Sequence, residues 1–241
     1  MYIWWSRYFI EHIKLCSFSI VKVKIFIYNT FEKKGGFMKT VLVTGSGKGL
    51  GAALIKEFVR NNYNVIICYN TSRNDALNLK NEITNVNVDI VKCDISNELD
   101  IINLFNNYKF DILINNAALS LDNNYLGKTK EEFMKVLEVN LVGTFLMCKE
   151  AIKKKVKEII NISSTDSIDT YSDLNIDYSS SKAGINIITK TLAKFNKDTR
   201  IIGILPNWIN TESIMEMNPE YLKSELERIN QEKLLDKNEV A

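Results

Sequence analysis

Tyr178 and Lys182 stand four residues apart in a segment, about Asp177 to Asn196, whose apolar spacing predicts a helix. Residues at that spacing share one helical face, so the phenol and the ammonium would lie one turn from each other. A phenol with an ordinary pKa of roughly 10 holds its proton at neutral pH and is a poor base. A nearby ammonium favours phenolate and lowers that value, giving a usable proton donor to a forming alkoxide or an acceptor from an alcohol. Ser164 follows the apolar run Ile159-Ile160-Asn161-Ile162 and is suited to hydrogen-bond a reacting oxygen. Ser163 and Thr165 flank it, and strand alternation leaves open which of the three does so. Asn140 sits inside an otherwise apolar helical stripe, where a polar amide needs a buried partner. Singly, these residues read equally well as a half-buried aromatic, a surface lysine and a turn cap; as a set they point to proton transfer at an oxygen-bearing carbon.

A second constellation lies upstream, in Lys39 to Gly51. The run Val41-Leu42-Val43 predicts a strand buried on both faces. Gly45, Gly47, Gly49 and Gly51 follow, and a helical pattern opens at about Leu50 with Ala53, Leu54 and Phe58 on one side. Strand, glycine turn and helix together aim free backbone N–H groups at an anion, and glycine lets the main chain approach a pyrophosphate without a Cβ in the way.

The elements that must position these groups alternate. Strands are predicted at Asn64–Tyr69, Val86–Cys93, Phe110–Ile114, Ile159–Ile162 and Ile201–Leu205. Helices fall between them, at about 73–83, 96–106 and 177–196. Thr129-Lys130-Glu131-Glu132 is a capping box that starts one long helix to roughly Lys155, and 218–233 predicts one or two exposed helices. Strands separated by such helices imply a parallel sheet covered on both faces, an α/β three-layer, Rossmann-like doubly wound fold in one domain, residues 38–241.

Composition narrows the function classes. With 241 residues the chain is long enough for one sizeable core, and a net charge of +2 gives no field for nucleic acid or an acidic membrane. Cys16, Cys68, Cys93 and Cys148 are scattered without a C-x-x-C pair, which predicts buried reduced thiols in a cytoplasmic protein. The single histidine, His12, lies outside the predicted domain, which removes a Ser-His triad and a histidine metal site. No metal is expected.

Five motifs in register then carry a resemblance: Thr44-Gly45-x-x-x-Gly49-x-Gly51, Asp94 after the third strand, Asn115-Asn116-Ala117-Ala118 after the fourth, Asn140, and Ser164 with Tyr178-x-x-x-Lys182. Residues 38–241 resemble the short-chain dehydrogenases/reductases, close to the 3-oxoacyl-(acyl-carrier-protein) reductase group. The resemblance implies that Asn140, Ser164, Tyr178 and Lys182 are catalytic, with Lys182 also holding the nicotinamide ribose and Asn140 placing a water in a proton relay. It implies that the dinucleotide meets Gly45, Gly47, Lys48, Gly49, Leu50 and Gly51 on the turn, then Asn70, Thr71 and Ser72 after the second strand. Asp94 and Ile95, Asn116, Ala117 and Ala118, and Pro206, Asn207, Ile209 and Thr211 complete that set, together with Tyr178 and Lys182. The second strand ends Tyr69-Asn70-Thr71-Ser72-Arg73, without the acid that binds ribose hydroxyls in NAD-specific sites, and Lys48 stands where NADP-dependent relatives carry a cation for the 2′-phosphate. NADPH is therefore the expected cofactor. The expected reaction is reduction of a small-molecule or acyl-carrier-bound carbonyl, foremost a 3-oxoacyl thioester. A sugar or other small ketone is the alternative within the family, and a non-catalytic nucleotide-binding remnant the alternative outside it.

The chain also departs from the family pattern. Ala118 replaces a glycine, a single methyl expected to be tolerated, and Pro206-Asn207 replaces Pro-Gly, where Asn tolerates the left-handed backbone better than most residues and the turn is expected to survive. The Ser164–Tyr178 spacing is one residue longer than usual. Relatives continue beyond a Leu-x-x-x-x-Glu-Val-Ala segment with a helix and a seventh strand that also build homo-oligomer contacts, so an open sheet edge is expected here. Phe18 to Tyr28 alternates like a strand, and charges interrupt any membrane span in 1–37. Lys-Lys-Gly-Gly-Phe-Met (33–38) is what a purine-rich ribosome-binding site and start codon would encode, which predicts that Met38 is the native start and 1–37 an extension outside the domain.

Overall fold

The computed structural model describes residues 2–4, 38–169 and 172–241. The expectations for Phe18–Tyr28 and for the codon-like 33–37 run lie outside the described residues. The central sheet is built from β1 (Tyr2–Trp4), β2 (Thr40–Thr44), β3 (Asn64–Tyr69), β4 (Val88–Lys92), β5 (Ile112–Asn115), β6 (Glu158–Ile162) and β7 (Arg200–Leu205), in the order β1-β7-β6-β5-β2-β3-β4. Six of these strands are parallel, and β1 pairs antiparallel with β7. The helices are α1 (Gly49–Arg60), α2 (Arg73–Glu82), α3 (Glu98–Asn107), α4 (Lys130–Leu137), α5 (Thr144–Lys153) and α6 (Ile176–Phe195).

The β-branched strands explain the layering. In β2 the side chains of Val41 and Val43 turn to one face, where they pack with Leu50, Leu54 and Phe58 of α1 and Ala76 and Leu79 of α2. Leu42 turns to the other face, with Ile101 and Leu104 of α3 and Met147 and Ala151 of α5. Strands buried on both faces read as continuous apolar runs, and each fully buried Leu or Ile contributes about 1.5–3 kcal/mol. The order reverses between β2 and β5, so the carboxyl ends of those two strands open a crevice, the place where such sheets bind ligands.

One predicted element divides. The capping box forms, with Thr129 Oγ1 accepting from the Glu132 amide at 3.2 Å and Glu132 accepting from the Thr129 amide at 2.8 Å. The helix that follows does not run unbroken to Lys155. It passes through a π-helical turn at Glu138–Gly143 before α5 begins. Asn140 causes the widening by turning its amide out of the helix onto the backbone of Leu119. Gly143 lets the Ile95 backbone pack against this turn, because a Cβ there would stand 2.7 Å from the Ile95 carbonyl oxygen.

After β7 come β8 (Ile209–Asn210), α7 (Glu212–Met215), α8 (Pro219–Arg228), β9 (Leu235–Asp236) and α9 (Lys237–Val240). β8 pairs with β9, and Val240 is buried against the α1 face of the core. The sheet edge where the resemblance places a seventh parallel strand carries β1 instead, with Tyr2, Ile3 and Trp4 opposite Leu205, Ile204 and Gly203. Among the described residues no helix is long and apolar enough to cross a membrane.

Candidate active site

The glycine turn forms the floor of the crevice. Gly45 and Gly49 have φ of +62° and +60°, a region open to glycine at no steric cost. A Cβ on Gly51 would meet the Gly45 carbonyl at 2.5 Å, and one on Gly47 would meet Ser72 Oγ at 2.6 Å. Ser46 is the internal strut: its hydroxyl donates to the Val43 carbonyl (2.7 Å) and accepts from the Cys68 amide (3.0 Å). Lys48 precedes α1 in an extended conformation and its side chain makes no cap, so no side chain of the turn itself covers the first amides of α1. A turn whose own side chains stand clear of these amides fits a dinucleotide pyrophosphate.

The other expected cofactor residues border the same crevice. Asn116 Nδ2 donates to the carbonyls of Thr44 (2.9 Å) and Gly45 (3.2 Å), and the amides of Asn116 and Ala117 both reach Thr44 Oγ1 at 3.0 Å. These bonds lock β5 to β2 at the switch point. Ala118 is exposed, so its methyl meets no obstacle. The Ser96 hydroxyl, 2.6 Å from Asp94, is the main cause holding that carboxyl below its usual range, and Asn70 also donates to it. Thr71 and Lys48 are exposed, Ser72 half-buried, and Leu50 and Ile95 buried. Pro206 accepts the Thr165 amide at 3.0 Å, and Thr211 lies over Gly49. Asn207 does not use the left-handed region; its side-chain oxygen takes the Trp208 amide at 3.0 Å.

β6 and α6 bring the expected catalytic groups together. Lys182 is 2% exposed, its Nζ donates to the Ile162 carbonyl at 2.8 Å, and it stands 5.3 Å from the centroid of the Tyr178 ring. Of the three candidate hydroxyls, Ser163 is spent on the Lys182 carbonyl (3.0 Å) and Thr165 Oγ1 is buried without a partner. Ser164 is the one hydrogen-bonded to Tyr178. Its Oγ also accepts the Asp166 amide at 3.2 Å, which fixes where the hydroxyl stands. Asn140, fully buried, takes the Leu119 amide (2.7 Å) and donates to the Leu119 carbonyl (2.9 Å) and to Ser181 Oγ (3.1 Å). It therefore braces the loop after β5 against α6.

The electrostatics differ from the expectation of a phenol lowered by its lysine. Burial, then the Asp166 carboxylate, raise Tyr178 well above the ordinary phenol range, and the Ser164 bond only partly opposes them. Burial brings Lys182 down to about 8, with Asp166 opposing. The ammonium shares the desolvated pocket, so the loss of hydration outweighs its attraction for phenolate. Tyr178 is thus set as a proton donor.

Asp166 is the residue that motif reading missed. Burial raises its carboxyl to about 6, against a 3.4 Å hydrogen bond from Asn175 and the charge of Arg228. Its only signal in the sequence is an acid two places after Ser164. Glu212, also missed, pairs with Lys237 and takes the Gly49 amide, so a carboxylate of the chain sits at the mouth of the phosphate turn.

The comparisons agree with this geometry. The short chain dehydrogenase family profile matches residues 39–222. A 3beta-hydroxysteroid dehydrogenase 1 of Eggerthella lenta is 35% identical over 187 residues, covering 72% of this chain and 71% of that protein. Glucose 1-dehydrogenase 2 of Bacillus subtilis is 31% identical over 198 residues, 76% of each chain. The 3-oxoacyl-[acyl-carrier-protein] reductase of Aquifex aeolicus is 31% identical over 205 residues, 79% of this chain and 82% of that one. The crystal structure of a 3-oxoacyl-[acyl-carrier protein] reductase from Brucella melitensis superposes with a TM-score of 0.75 at 25% identity, covering 84% of this chain and 81% of the other. The chain belongs to the short-chain dehydrogenase family. It is an oxidoreductase of that family, whose cofactor is a nicotinamide dinucleotide.

Proposed function

We propose that the protein reduces a carbonyl to a secondary alcohol with NADPH, and that its substrate is a 3-oxoacyl thioester. The observation that supports the reading is Lys182 and Ser164 gathered at Tyr178, whose phenol burial raises above its ordinary range. When bound, the reduced nicotinamide supplies the hydride. The chain's residues manage the oxygen. Ser164 donates a hydrogen bond to the carbonyl oxygen and polarises it. As charge grows there, Tyr178 gives up its proton, the O–H bond of the alcohol forms, and the phenolate left behind is stabilised by the Lys182 ammonium. NADPH is favoured by the exposed Lys48 on the turn and by the lack of an acid in 69–73.

The test is nucleotide oxidation with acetoacetyl-coenzyme A, with Tyr178→Phe as the control. Turnover that is equal with NADH at matched concentrations overturns the cofactor reading, and no turnover in the wild type overturns the substrate reading. A sugar or other small polyhydroxy ketone is the second reading. The Asp166 carboxylate near the reacting groups suits a substrate with hydroxyl donors, and a glucose 1-dehydrogenase stands among the relatives.

A further inference from the structure

One ion pair beside the catalytic group is buried and has no part in the steps above. Lys128 Nζ lies 3.1 Å from Asp177 Oδ2, with side chains 3% and 0% exposed. Asp177 immediately precedes Tyr178, and its Oδ1 accepts the Tyr178 amide at 2.9 Å. Lys128 closes the loop that follows β5, and its ammonium also donates to the Leu121 carbonyl within that loop. The same loop runs alongside the approach to α6. The Asn123 amide reaches the Leu174 carbonyl and the Tyr125 amide the Asp173 carbonyl, both at 2.9 Å, and Asn124 bonds the Asp173 carboxylate at 2.9 Å. These outer bonds join exposed or half-buried residues; the ion pair is the buried anchor among them. Taking two charges out of water is costly, and an apolar pair of similar size often serves stability as well. What an ion pair adds is a single register and distance between the two segments.

We propose that Lys128 and Asp177 are positioning residues, whose buried pair fixes the first turn of α6, and with it the Tyr178 hydroxyl, against the loop of residues 119–128. The proposal rests on the reading of Tyr178 as proton donor. Lys128→Met leaves a buried carboxylate alone, Asp177→Asn keeps an acceptor for the Tyr178 amide but removes the charge, and the double variant has no buried charge at all.

Three readouts test it on the full chain: NADPH titration by fluorescence, reduction of acetoacetyl-coenzyme A, and amide hydrogen exchange. In Lys128→Met kcat falls about tenfold or more while NADPH affinity and its KM stay within about twofold, because a misplaced donor loses transition-state stabilisation without losing nucleotide contacts. Exchange protection drops at Asn123, Tyr125 and Tyr178 and holds in β2 and β3. The double variant regains stability, because no buried charge is left alone, but its rate and protection stay low, because the pair that set the register is gone; full recovery of the rate in it overturns the proposal. A folded Lys128→Met with unchanged kcat and unchanged exchange overturns the proposal. So does a fall in NADPH affinity parallel to kcat, which marks a general structural role. If the wild type does not turn over acetoacetyl-coenzyme A, the substrate reading fails, and exchange with NADPH titration decides the positioning claim alone.

Discussion

The Lys182 ammonium donates to the Ile162 carbonyl at 2.8 Å and faces the Tyr178 ring at 5.3 Å, so one cation ties β6 to Tyr178 on α6. Burial brings that ammonium down to about 8. We predict that kcat for reduction falls as pH rises through about 8, since the phenolate left by proton transfer then loses its counter-charge. Lys182→Arg should remove the inflection. Tyr178→Phe should lower kcat by about 10²–10⁴ while NADPH still binds, measured by single-turnover kinetics and titration. A pH-independent rate between 7 and 9 would count against the assignment.

Asp166 stands above its usual value, at about 6 against 3.8, chiefly through burial. The folded state then binds more protons than the unfolded one between those values. Stability contributed by this group is present below about 4, is lost as pH rises through about 6, and stays lost above it. Asp166→Asn should therefore raise stability at pH 7–8 by about 1 kcal/mol after discounting for solvent screening, with no gain at pH 4. Removing this carboxylate also removes one of the causes that hold Tyr178 high, so alcohol oxidation should set in at lower pH. Paired urea melts at the two pH values and an oxidation profile are the measurements.

Glu212 places a carboxylate against the Gly49 amide, where a pyrophosphate would seek the same donors. Glu212→Gln should bind NADPH about fivefold more tightly, the effect shrinking at high salt. Calorimetric titration checks this; equal or weaker binding would show that the carboxylate and the nucleotide do not compete.

Lys48 is the one cation within the glycine turn and is exposed. Lys48→Ala should reduce the preference for NADPH over NADH by about tenfold, the worth of one charge-assisted hydrogen bond, without altering NADH affinity. The ratio of kcat/KM values with the two nucleotides is the readout.

Gly143 and Asn140 show where the sequence stopped being readable. The strands, the glycine turn and the Tyr178–Lys182 spacing are local chemistry, and each stands within two residues of its predicted position. The π-helical turn is decided by Leu119 and Ile95, distant in sequence, so the periodicity of 130–155 read as one helix. The same limit hid Asp166 and the Lys128–Asp177 pair, whose meaning depends on what burial and neighbours do to a charge. Choosing among Ser163, Ser164 and Thr165 likewise needed the position of the Lys182 carbonyl.

Among the described residues, β1 meets the outer margin of β7 through Tyr2, Ile3 and Trp4, and β7 in turn hands the Ile204 carbonyl to the Ser163 amide at 2.7 Å. Stripping off so slight a selvage would bare three residues of ladder one strand away from the reacting serine. Strand-to-strand joining of molecules, with the interior still intact, is then the first fault to look for when that end of the chain is altered.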